Sequence, residues 1–157
     1  MMLDATGTVK TLLTNNWDAA NTDGKTPVVD KVYEMKELDL SIKDRILIYT
    51  SSDESRINGI GTTNTREDHY VSIDIRSAYK PLKDTTKTTI STITGHEHLM
   101  NLVAEVKRIL RLKGKEPGGN YQAILPHQPN RDLSDKFKNL YRYLIETRLI
   151  LTNYEDE

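Results

Sequence analysis

The sequence specifies an α+β fold, with a single antiparallel or mixed β-sheet packed against an N-terminal helix and a long amphipathic helix. Three stretches carry that expectation. "HYVSIDIRS" (69–77) alternates, with Val71, Ile73 and Ile75 on one face and Tyr70, Ser72, Asp74 and Arg76 on the other, the period of a half-buried strand. "HLMNLVAEVKRIL" (98–110) spaces Leu99, Leu102, Val103, Val106, Ile109 and Leu110 by 3, 1, 3, 3 and 1 residues, one apolar stripe of an α-helix. The tail "YRYLIETRLIL" (141–151) is rich in aromatic and β-branched residues, which favours a strand.

Along the chain, residues 4–17 open as a helix, capped by Asp4 or Thr6, with Val9, Leu12, Leu13 and Trp17 at helical spacing. "NTDGKTP" (21–27) breaks it, Asp23-Gly24 supplying the turn and Pro27 the stop. "DKVYEMKEL" (30–38) is compatible with a strand, and "DRILIYTS" (44–51) reads as a central one. Two long polar loops are expected at about 51–68 and 78–94, the first with a short strand near Ile57–Gly61 as an option. Thr94 caps the amphipathic helix and Glu97 completes a capping box, while Gly114 ends it after a cationic last turn. "YQAIL" (121–125) is a short strand closed by Pro126. Residues 140–153 bury Leu140, Leu144 and Leu151 if helical. As a strand they alternate Tyr141, Tyr143, Ile145, Thr147, Leu149 and Leu151 on one face, and composition favours the strand. Residues 1–157 form one domain, with no repeat.

Composition excludes several classes of function. A net charge of −1 argues against a dedicated nucleic-acid or polybasic membrane binder. The absence of cysteine rules out disulfides, thiolate catalysis and cysteine-ligated zinc. With no bilayer-length apolar run and no secretion-signal pattern at the start, the expectation is a soluble protein made and kept in the cytosol.

"HEH" (96–98) raises the question of a metal. On a helix the two histidines point about 200° apart, so they do not share an ion there, and the zinc-protease pattern needs them on one face. The simpler expectation is a helix start with both histidines in solvent. The alternative function is a small metal-dependent hydrolase or nuclease with a histidine–carboxylate site drawn from His69, His96 and His98, with His127 a further candidate ligand. "GIGTTN" (59–64) lacks the third glycine of a dinucleotide fingerprint and the Lys-Ser/Thr of a P-loop, and "SSDESRING" lacks calcium-loop spacing. No nucleophile elbow is present, no carboxylate pair stands out, and no cofactor is expected. Lys107 and Arg111 share a helix face that suits either phosphate or solvent. Arg56, Asn58, Arg66, Lys80, Lys83 and Lys87, on the expected loops, are candidate interaction residues. A third possibility is an adaptor using the 51–68 loop to recognise protein or nucleic acid.

The helix 4–17, the strands "RILIYT" and "HYVSIDIRS", the helix "HLMNLVAEVKRIL" and the final strand "YRYLIETRLIL" together resemble the tail terminator (tail-completion, minor tail) proteins of long-tailed viruses of bacteria and archaea. The resemblance spans nearly the whole chain as a pattern of elements, without a diagnostic motif. It implies a non-enzymatic virion protein of the tail or neck, assembled in the host cytoplasm. Such a protein self-associates into a ring of about six subunits, ends the tail tube and joins it to the head–tail connector proteins. Its partners would be the tail tube protein, the connector and DNA passing through the lumen without sequence-specific binding. No residue's role is carried over.

Overall fold

The computed structural model describes residues 4–31, 44–57, 65–77, 82–83, 92–93, 95–119, 121–134 and 141–153. Helix α1 (Ala5–Asn16) is followed by a 3-10 turn, η1 (Ala19–Thr22), and strands β1 (Val28–Lys31), β2 (Arg45–Ile57) and β3 (Thr65–Ser77). Two short strands, β4 (Leu82–Lys83) and β5 (Thr92–Ile93), pair with each other. Helix α2 (Gly95–Lys113) then leads to β6 (Ala123–Pro126), β7 (Arg131–Asp132) and β8 (Tyr141–Asn153). The main sheet has the order β1-β2-β3-β8-β6, with β7 also pairing β8. β1 runs parallel to β2 and every other pair is antiparallel, so the sheet is mixed.

Both helices lie on one face of this sheet and build a single core. Ala5, Val9, Leu12 and Leu13 of α1 meet Leu99, Leu102, Val103, Val106 and Ile109 of α2 over Ile46, Ile48, Val71, Ile73, Ile75, Ile145 and Leu149. These are the stripes and alternations read from the sequence, with Leu110 half-buried at the margin. Gly95 starts α2 because a Cβ there would lie 2.5 Å from the Tyr141 ring, so glycine lets the helix start pack on β8. Among the described residues no helix is long and apolar enough to cross a membrane.

Asp4 caps α1: its carboxylate accepts from the Gly7 amide at 2.8 Å and from Lys31 Nζ at 2.8 Å, tying the helix start to β1. The Lys31 hydrogen bond, followed by that of Gly7, holds the Asp4 carboxyl below its usual range. Asp4→Ala should cost about 1 kcal/mol of unfolding free energy while Asp4→Asn costs only part of it, measurable by urea denaturation. The half-exposed ion pair adds little to that figure.

Four expectations are corrected. The 51–68 region is mostly not a loop: β2 continues through Ile57 and β3 begins at Thr65, in antiparallel register from Arg45↔Arg76 to Ile57↔Thr65. The apolar half of the hairpin sets that register, and the polar half follows it across a bulge between Thr50 and Ser52. Strand β1 starts earlier than expected, covering only Asp30 and Lys31 of the 30–38 segment, whose remainder lies outside the described residues. Strand β6 begins at Ala123, two residues later than read, and ends at Pro126 as expected. Finally, the polar face of the half-buried strand expected at 69–77 is itself enclosed. Tyr70, Ser72, Asp74 and Arg76, with Leu144 on the same face of β8, are all buried, and Asp74 pairs there with Arg76 and Arg142. The C-terminal segment is a strand, fully paired to β3 from Ser77↔Tyr141 to Thr65↔Asn153. Most of 78–94, including the expected cap Thr94, lies outside the described residues.

Candidate functional site

Besides its apolar stripe, α2 carries a polar one. His98, Asn101, Glu105 and Arg108 follow at helical spacing, and all four engage the corner between α1 and η1 or the start of β2. His98 is fully buried, contrary to the expectation that it faces solvent. Its Nδ1 lies 2.8 Å from Asp23 Oδ2 and its Nε2 2.6 Å from Asp44 Oδ2. Asn101 Nδ2 donates to the same Asp23 carboxylate at 2.8 Å. Asp23 reaches this position from a left-handed backbone (φ 58°), a conformation aspartate tolerates better than most residues, at the end of η1. The Asp23-Gly24 turn read from the sequence therefore aims a carboxylate at the helix.

Burial disfavours the charge on the His98 ring, but the hydrogen bonds to Asp44 and Asp23 outweigh it and raise the pKa above the ordinary histidine value. The ring is an imidazolium clasped between two carboxylates, joining α2 to the η1 turn and to the residue before β2. About two turns further on, Glu105 is also buried. It accepts from the Asp18 amide at 3.0 Å, from Asn21 Nδ2 at 2.9 Å and from Arg108 Nε at 2.9 Å, and Arg108 also donates to the Asn16 carbonyl. Burial pushes the Glu105 carboxyl up, but Arg108 and these amides bring it below its usual range.

A second polar cluster lies on the opposite face of the sheet. Asp74, fully buried, accepts from Arg76 at 3.0 Å and from Arg142 Nε at 2.9 Å, and Arg142 Nη2 lies 2.9 Å from the same carboxylate. Arg76 and Arg142 are direct cross-strand partners, a like-charge pair that Asp74 neutralises from the diagonal position. Tyr49 adjoins them; burial, then the Asp74 charge, raises its phenol pKa, opposed by Arg142. Further along, Tyr70 packs on His127 with ring centroids 4.2 Å apart, and Arg148 sits 3.9 Å from Asp68.

The three histidines of the metal alternative are not gathered into one site. His69 pairs with Glu67 at 3.2 Å and meets the edge of Tyr121, His96 is half-buried with Asp132 at 3.0 Å, and His98 is enclosed in the seam. The two carboxylates around His98 approach opposite nitrogens of its ring, an arrangement for hydrogen bonding rather than for converging on one cation. Among the described residues no group of three or more His, Cys, Asp or Glu could hold a metal ion. Of the expected loop residues, Arg56 and Arg66 stand opposite each other in the β2–β3 ladder and Lys83 lies in β4. Asn58, Lys80 and Lys87 lie outside the described residues.

Sequence reasoning missed Asp23, Asp44, Asn101, Glu105, Asp74 and Arg142 as parts of buried clusters. A signal existed for two of them: acidic and basic residues on corresponding faces of two alternating strands, Asp74 and Arg142, suit cross-strand pairing. The polar stripe of α2 reads from sequence like any solvated helix face. No protein-family model and no curated protein matches the chain.

Proposed function

We propose that the chain is a non-enzymatic structural subunit that self-associates into a ring at the end of a virus tail, closing the tail tube and joining it to the head connector. The carrying observation is the order and length of the elements. Two helices cover one face of a mixed sheet whose strands β2, β3 and β8 each run for 13 residues. Strands β2 and β3 stay paired from Arg45↔Arg76 to Ile57↔Thr65, a long ribbon whose length would suit contact with a neighbour. The buried ionisable groups also fit a structural part: His98, Glu105 and Asp74 are each held by fixed partners, which leaves them bracing elements instead of facing a reactant.

The reading is tested with the tail tube protein of a virus encoding this chain. Added to growing tubes, the protein should bind tube ends and arrest elongation, seen as capped tubes of fixed length by electron microscopy. Tubes that elongate unchanged, with no protein at their ends, would contradict it.

A further inference from the structure

A groove of about 380 Å³ runs between the last turns of α2 and the edge strand β6. Its apolar lining includes Leu110, Ile124 and Ile145. Its rim is cationic: Lys107, Arg111 and Lys115 all line it. Lys107 lies over the Tyr143 ring at 5.4 Å, and neither Arg111 nor Lys115 has an ion-pair partner among the described residues. Three positive charges exceed the roughly half charge that complements a helix C-terminus. The β6 edge itself is closed to strand addition, because the Ile124 amide donates to the Gly114 carbonyl at 2.7 Å and Pro126 has no amide proton. An occupant is therefore held by an apolar anchor and by charge.

We infer that this groove receives residues 154–157 of a second copy of the chain, with Tyr154 on the apolar lining and Glu155, Asp156 and Glu157 against the Lys107–Arg111–Lys115 rim. This rests on the ring reading and names the contact that would build it. Charge complementarity selects the segment: Glu155-Asp156-Glu157 is the only run of three acids in the sequence, and an aromatic residue directly precedes it. Reach to the Lys107 end of the rim selects the second copy. Lys107 lies beside Tyr143, ten residues back along β8 from Asn153, or about 33 Å at strand rise, whereas four further residues span at most about 14 Å. A chain cannot lay this segment along its own full rim. A strand end docking into a groove elsewhere on the next subunit is a heterologous contact, the kind that closes rings.

The test uses a fluorescent peptide of residues 152–157. It is titrated onto the full chain carrying Glu155→Lys, Asp156→Lys and Glu157→Lys, so that the protein's own segment does not compete. Saturable binding is expected, weakened about tenfold or more when Arg111→Glu and Lys115→Glu are added, and weakened by salt. Tyr154→Ala in the peptide should weaken it as well. Absence of saturable binding, binding indifferent to the Arg111 and Lys115 reversals, or displacement by equal concentrations of a short DNA duplex would overturn the inference, the last in favour of phosphate recognition. In the assembly itself, Arg111→Glu with Lys115→Glu should dissociate the rings, and the three tail lysines added to that variant should restore them. Rings that survive the reversal refute the docking contact and leave the ring reading standing. Peptide binding at the groove of a chain that never forms rings refutes the ring reading alone.

Discussion

Replacing Asp74 by alanine lowers the unfolding free energy by about 3–5 kcal/mol. The carboxylate is fully buried and is shared by Arg76 and Arg142, whose side chains are only 10% and 14% exposed. Without it, two guanidinium groups face each other across β3 and β8 with little water and, among the described residues, no other carboxylate paired to them. The cost comes from stranding those charges rather than from any large net gain in the intact cluster. Replacing all three residues by apolar ones of similar volume should therefore cost much less than the single change. Urea denaturation of the two variants, with unchanged slope as the check on two-state behaviour, distinguishes the cases.

His98→Ala should cost about 3–5 kcal/mol at neutral pH, since it leaves Asp23 and Asp44 without the imidazolium between them. The native protein carries a pH signature of this contact. His98 binds its proton more tightly when folded than when unfolded, so its contribution is complete below the ordinary imidazole pKa. It declines as pH rises through the elevated folded value, at a slope of up to about 1.4 kcal/mol per pH unit. Stability measured from pH 6 upward should show this alkaline decline in the native chain, and His98→Ala should lack it. Glu105, whose pKa is lowered in the fold, acts in the opposite sense: its contribution is present above the ordinary carboxylate range and is lost as pH falls below it.

The elements with one apolar face were legible in the sequence. Val71, Ile73 and Ile75 alternate, Leu99 through Ile109 form one stripe, and the aromatic and β-branched residues of 141–151 favour the strand that is observed. The far half of the β2–β3 hairpin was not legible. "SSDESRI" has no apolar periodicity, and it is a strand because the ladder set at Ile46↔Ile75 and Ile48↔Ile73 carries it forward. Burial of the polar face of β3 was equally hidden, since Ser72, Asp74 and Arg76 look like a solvated edge until Arg142 is placed beside them. His98 shows the same limit. Its partners come from residues 54 and 75 positions away, and local spacing reports only that it does not share a helix face with His96. What sequence periodicity conveys is which residues lie on the same side of an element. Which sides face protein and which face water depends on the partners that the fold supplies.

Self-association is the most direct test of the structural role. The purified full chain should be measured by light scattering at increasing concentration, with negative-stain images of the same samples. The expected result is a closed ring with the mass of about six subunits, sensitive to salt if acidic and basic groups make the contact. A monomer at every concentration, remaining monomeric when mixed with tail tubes, would contradict the ring assignment.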